Sequence, residues 1–185
     1  SYGGVTVSLH ADGFSQMPDA DWGLDRTTWN DFLRERRLEN VSPRVMDAKT
    51  QGEWLDWRCK RLSGMYAEMA ESVSRRSDGA TLYLAGSRLI ESKPIQRSLR
   101  PALPMQDRTD QALREIGLHP AYLRSGPQLD FLRPKLLGAT EQAKSAATRE
   151  FNRSAEIDEM FRETDRPGSL FLHEPDLRRL PSFDR

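Results

Sequence analysis

A single cysteine, Cys59, rules out an intrachain disulfide framework and any multi-cysteine zinc site, while leaving the redox compartment open. An excess of charge of either sign is also missing. Lys+Arg and Asp+Glu both number 28, so the chain lacks the basic field on which sequence-independent nucleic-acid binding relies. Nucleic acid is therefore not an expected partner. The mean hydropathy is −0.72 and no long apolar run occurs, so no membrane span is expected within the chain.

The three histidines, His10, His119 and His173, form no HExxH and stand far apart, so a metal would have to be assembled from distant segments. Neither a Walker A sequence nor GxGxxG is present, and no nucleotide or other cofactor is expected. Ser87 has no nucleophile-elbow context and Cys59 falls inside a helical pattern, so nucleophilic serine or cysteine catalysis has no support. Arginine far outnumbers lysine, but Arg34-Arg36-Arg37, Arg75-Arg76 and Arg178-Arg179 read first as helix-end or solvated charges.

What remains is a chain of 185 residues, 37% hydrophobic and 30% charged, long enough for one domain with a core. Val5 to Leu9 is a β-branched run between Gly3-Gly4 and Ala11-Asp12-Gly13, and predicts a strand ending near His10. An ordered loop to Leu24 follows. Asp25 caps a short helix over Thr27 to Arg36 with Trp29, Phe32 and Leu33 on one face. The clearest helix runs from about Gln51 to Arg76, where Trp54, Leu55, Trp57, Leu62, Met65, Tyr66, Met69 and Val73 recur at helical spacing. Thr81 to Leu84, closed by Gly86, predicts a second strand.

Asp107 or Thr109 can then cap a short helix through Ile116, with Gly117 ending it, and Leu129 to Leu132 reads as a weak third strand. Ala139 to Phe161 is helix-compatible, Arg166-Pro167-Gly168 breaks it, and Ser169 to His173 is the fourth candidate strand. Strands alternating with helices predict a parallel α/β architecture.

In such folds the reactive groups gather beyond the carboxyl ends of the strands. Those positions hold His10, Asp12 and Phe14 after the first strand, Ser87, Arg88 and Glu91 after the second, Arg133 and Lys135 after the third, and His173 and Glu174 after the fourth. Asp12 and Glu174 could face each other as an acid and an ionised partner, the pairing that glycoside hydrolysis needs. As a bland reading, Asp12 would form a turn with Gly13 and Glu174 would be a solvated charge before Pro175. Phe14, Trp22 and Trp29 are expected to cluster near the first strand end, where an aromatic face could stack on a sugar ring. For Trp54 and Trp57, whose spacing matches the apolar stripe, a packed role is expected.

The stretch Gly3-Gly4-Val5 through Ser8-Leu9-His10-Ala11-Asp12-Gly13-Phe14, with Gln16-Met17-Pro18 and Trp22-Gly23-Leu24-Asp25, resembles the bacterial family-10 glycosyl-hydrolase-like proteins. So do Trp54-Leu55-Asp56-Trp57-Arg58, Leu82-Tyr83-Leu84, Leu170 to Pro175 and Arg179 to Asp184. The resemblance implies a (β/α)8 TIM barrel of which this chain holds a part, its four strands similar in order to strands four to seven. Asp12 would then follow the fourth barrel strand and Glu174 the seventh. Barrel glycosidases of the large retaining clan carry an Asn-Glu pair at the first of these places, where this chain has Ala11-Asp12.

The expectation is thus a single partial barrel domain over 1–185, a fragment of a longer bacterial chain. Its partners would be a carbohydrate substrate and the remainder of the barrel, and any export signal would lie outside it. Asp12 and Glu174 are the candidate catalytic carboxylates. His10, Phe14, Trp22, Arg88 and His173 are the candidate substrate contacts. Four strands alone would leave two open sheet edges, and with them poor solubility or self-association. Two rivals stand beside hydrolysis. One is a non-catalytic glycan-binding or scaffold barrel; the other is a helical interaction module, which requires Trp54 and Trp57 to be exposed.

Overall fold

The computed structural model describes residues 3–10, 15–39, 41–98, 109–134 and 155–164. In chain order these form β1 (Gly4–Ser8), α1 (Arg26–Arg36), α2 (Ala48–Arg76), β2 (Thr81–Ala85), a 3-10 turn (Gly86–Glu91), α3 (Lys93–Ser98), α4 (Thr109–Glu115), β3 (Leu129–Pro134), α5 (Ala155–Met160) and β4 (Arg162–Thr164). The strands make one parallel sheet in the order β1-β2-β3-β4.

That order has a geometric consequence. Parallel crossovers are right-handed, so strands added always on the same side place every connecting segment on one face; a doubly wound sheet must reverse direction to cover both. The packing agrees. Leu82, Leu84 and Phe131, which share a face by register, join one core with Leu62, Tyr66 and Ala70 of α2, Ala112 and Leu113 of α4, and Ile157 and Met160 of α5. The other face carries Thr6, Tyr83 and Asp130 in one row, with Thr6 exposed, Tyr83 half-buried and Asp130 buried.

A second core stands apart from the sheet. The Trp54 ring lies within 5.2 to 5.4 Å of the centroids of Trp29, Phe32 and Trp57, and Trp54 and Trp57 are only 1% and 7% exposed. This burial removes the helical interaction module. Trp29 belongs to this core, with 4% exposure, so the expected clustering of Trp29 with the first strand end is corrected: helical phase turns the ring inward against α2.

Both α1 and α2 begin where aspartates stop the backbone N–H groups from being orphaned. Asp25 accepts from the amides of Thr27 and Thr28, and Asp47 from that of Thr50 at 2.7 Å. Helix α2 therefore starts three residues before the Gln51 expected from apolar spacing. At the end of α1, Arg37 takes φ 55° and the amide of Leu38 returns to Leu33 O at 2.9 Å, a left-handed cap.

Among the described residues the fourth paired strand is Arg162–Thr164, a polar three-residue segment beside β3 that local pattern did not announce; Ser169 to His173, the candidate strand from sequence, lies outside the described residues. Of the helix expected over 139–161, the described part is Ala155–Met160, and Phe161 already belongs to the turn into β4. No helix among the described residues is long and apolar enough to cross a membrane.

Candidate functional site

The carboxyl end of β1 is tied into a polar knot. Ser15 Oγ donates to Ser8 O at 2.7 Å and accepts from the amide of His10 at 3.2 Å, which folds the chain back over the strand tip. The buried Tyr66 hydroxyl of α2 donates to the Ser15 carbonyl from below. Gln16, only 4% exposed, donates through Nε2 to Ser92 Oγ at 2.5 Å, joining this loop to the segment after β2. The strand ends themselves stay paired to Leu9, whose amide reaches Ala85 O at 2.9 Å.

Three buried polar atoms in this short stretch, Ser8 Oγ, His10 Nδ1 and Gln16 Oε1, have no hydrogen-bond partner among the described residues. A buried donor or acceptor left open costs on the order of 1–3 kcal/mol, and such costs concentrate where a ligand completes the set. Arg88, in the turn after β2, places Nε 2.8 Å and Nη2 2.6 Å from Glu91 Oε2, so its guanidinium is held in a fork beside this strand end.

Trp22 sits elsewhere. It is 55% exposed on a loop anchored by Asp19, whose Oδ1 accepts the amides of Asp21 and Trp22 at 3.1 Å. With Thr28 and Asp31 of α1 and Trp57, Arg58 and Arg61 of α2, it lines an open groove of about 290 Å³. A second depression of about 260 Å³ shares Trp57 and Arg61 and adds Glu35, Arg36 and Lys60, so the two continue along the α1–α2 seam. This seam lies beyond the sheet: Trp54 precedes Tyr66, which marks the level of the strand tips, by twelve residues or about 18 Å of helix.

Beneath the seam, Asp56 accepts from the Tyr122 hydroxyl at 2.5 Å and from Arg36 at 2.9 Å, with Lys60 Nζ at 3.4 Å. Burial alone would raise its pKa, but the hydrogen bonds from Tyr122 and Arg36 and the Lys60 charge outweigh it and hold the carboxyl below its ordinary value. Arg58 is 1% exposed; burial lowers its pKa to about 10, which still leaves it charged at neutral pH. Burial likewise pushes the Cys59 thiol up to about 12, so it is no nucleophile.

Of the residues singled out from sequence, His10 and Arg88 stand at the ends of neighbouring strands, and Trp22 stands in the separate helical seam. Asp12, Phe14, His173 and Glu174 lie outside the described residues. The strand expected to carry His173 and Glu174 lies outside the described residues as well. Gln16 and Ser92 were not anticipated as site residues, because nothing in the sequence marks a contact between positions so far apart. The seam did leave a trace: Trp57, Lys60 and Arg61 are spaced to share one face of α2.

Comparison of the chain with protein-family models, with curated proteins and with solved structures finds no match.

Proposed function

We propose that this chain is part of a (β/α)8 barrel that handles carbohydrate, resembling the bacterial family-10 glycosyl-hydrolase-like proteins, and that the reaction is hydrolysis of an O-glycosidic bond. The observation that carries the reading is the singly wound parallel order β1-β2-β3-β4 with all helices of the core on one face, the arrangement a barrel repeats until it closes. At the strand tips, His10 and Arg88 would contact sugar hydroxyls, and the open polar atoms of Ser8 and Gln16 suit the same ligand chemistry. Phe14 and His173 are proposed for the same mouth from their positions after the first and fourth candidate strands.

Asp12 and Glu174 are the proposed carboxylates, one delivering a proton to the leaving oxygen and the other acting as nucleophile or base. A separation of about 5 Å between them would give retention, and roughly 6.5–9.5 Å inversion. The test is turnover of a glycan panel by Asp12→Asn and Glu174→Gln, each checked for native circular dichroism. Loss of turnover in both supports the assignment, and undiminished turnover in both removes it.

A second reading, a glycan-binding barrel without catalysis, is favoured by one observation. Trp22 is exposed in a groove it lines with Thr28, Asp31, Trp57, Arg58 and Arg61, an aromatic platform of the kind a sugar ring stacks on. Retained glycan binding without turnover in the unaltered chain would decide for it.

A further inference from the structure

The α1–α2 seam combines two features that belong to different kinds of recognition. At one end an exposed indole stands beside Thr28 and Asp31. At the other, Arg36, Lys60 and Arg61 line the depression together with Glu35. The charges there do not cancel. Glu35 is taken up by Arg61 and by the Trp57 indole N–H at 2.8 Å, and Asp56 by Arg36 at 2.9 Å and the Tyr122 hydroxyl. Lys60, 3.4 Å from the same Asp56 oxygen, 5.0 Å from the Tyr122 ring centroid and half-exposed, brings this end to three cations against two carboxylates. Arg36 also holds a buried Nε–H without an acceptor among the described residues.

The spacing defines the ligand's size. Thr28 and Glu35 are seven residues apart on α1, about 10 Å along the helix, which spans more than one sugar ring. A pyranose offers an apolar C–H face to an indole and hydroxyls to a polar rim, and a carboxylate on a neighbouring ring would meet the cationic end.

We infer that this seam is an accessory binding groove for an acidic oligosaccharide, one bearing uronate groups, with Trp22 as the stacking face and Lys60, Arg36 and Arg61 as the carboxylate-facing group. The inference rests on the carbohydrate reading above but not on its catalytic carboxylates. It separates the groove from the strand-tip mouth, so that the chain would hold a glycan at two levels.

The test is calorimetric titration of the whole chain, carrying Asp12→Asn and Glu174→Gln so that nothing is cleaved. The probes are an oligogalacturonate, a neutral gluco-oligosaccharide of the same length and a poly-glutamate peptide. The oligogalacturonate should bind about tenfold or more tighter than the neutral sugar, and weaken as salt is added. Trp22→Ala and Lys60→Gln, both at exposed side chains, should each raise its Kd about fivefold or more while near-ultraviolet dichroism stays native. Arg61→Gln gives an independent check on the cationic end.

Because Trp22 is the exposed tryptophan, stacking should also shift the emission spectrum, and that shift should vanish in Trp22→Ala. Equal affinity for the acidic and neutral sugars, equal binding of poly-glutamate, or Kd values untouched by both substitutions would overturn the groove. Turnover of the chain with native Asp12 and Glu174 is a separate readout, which bears on hydrolysis alone and not on the groove.

Discussion

Arg58 and Trp54 share one acceptor. The guanidinium Nη1 and the indole Nε1 both donate to the carbonyl of Ala20, at 3.1 and 3.2 Å, and the guanidinium carbon stands 5.6 Å from the Trp54 ring centroid. A second Arg58 donor reaches the Asp19 carbonyl. One buried cation therefore fastens the loop that carries Trp22 to the middle of α2.

Replacing that cation should cost more than its surface neighbours. Arg58→Ala leaves the Asp19 carbonyl without its buried donor and opens a cavity beside Trp54, and the expected loss is about 3 kcal/mol or more. Arg58→Met keeps much of the volume and should lose less. Urea denaturation of the two variants measures this, and equal midpoints for both would show that packing volume plays no part.

Acid stability should follow Asp56. Its carboxyl titrates below the unfolded reference of 3.8, so the unfolded chain binds protons first as pH falls. The stabilisation is whole above that reference and is lost as pH drops through the folded value. Tyr122→Phe removes one donor and should move this loss to higher pH. Urea midpoints between about pH 2 and 6 test it, and superimposable profiles for parent and variant would count against the cluster. His119 adds a separate step nearer neutrality: burial, with the Arg114 charge beside it, lowers its pKa from 6.5, so stability should also decline as pH falls through 6.5.

Gly117 closes the descent from α4 with φ +85°, and a Cβ there would stand 2.7 Å from Leu62 Cδ2 and 3.2 Å from Met17 Sδ. Gly117→Ala should destabilise by at least about 1–2 kcal/mol, through both the left-handed backbone and the crowding. Thermal unfolding of this variant beside Gly64→Ala, where a Cβ meets nothing within 4 Å, isolates the effect. Gly64 is within α2, so its alanine should stabilise.

Cys59 should be silent in the native state. Fully buried and with its thiol pushed up to about 12, it should react with a disulfide reagent only as fast as the chain opens. Labelling in native buffer at the rate seen in denaturant would contradict this burial.

Much of this architecture could be read from local pattern. β1, β2 and β3 announced themselves as β-branched or apolar runs between glycines and prolines, and the buried stripe of α2 was visible from Trp54 to Tyr66. What escaped was structure made by neighbours rather than by its own residues. Arg162–Thr164 is polar and becomes a strand only because β3 offers its edge. The 3-10 turn and α3 follow β2 without an apolar period long enough to register. The same holds for the site. His10 and Arg88 were found by position after a strand, whereas Gln16 and Ser92 meet across 76 residues, a contact no spacing rule contains.

Helix α2 is a single rod of 29 residues with its upper turns in the aromatic core and its lower turns against the sheet. Its pitch thereby serves as a ruler and a compass for everything mounted above the strands. Inserting one residue between Trp57 and Leu62 would lift the seam by about 1.5 Å and swing it by about 100°, unpicking the aromatic block while every strand kept its partner. The distance and bearing from sheet to groove are thus written into the residue count of one helix.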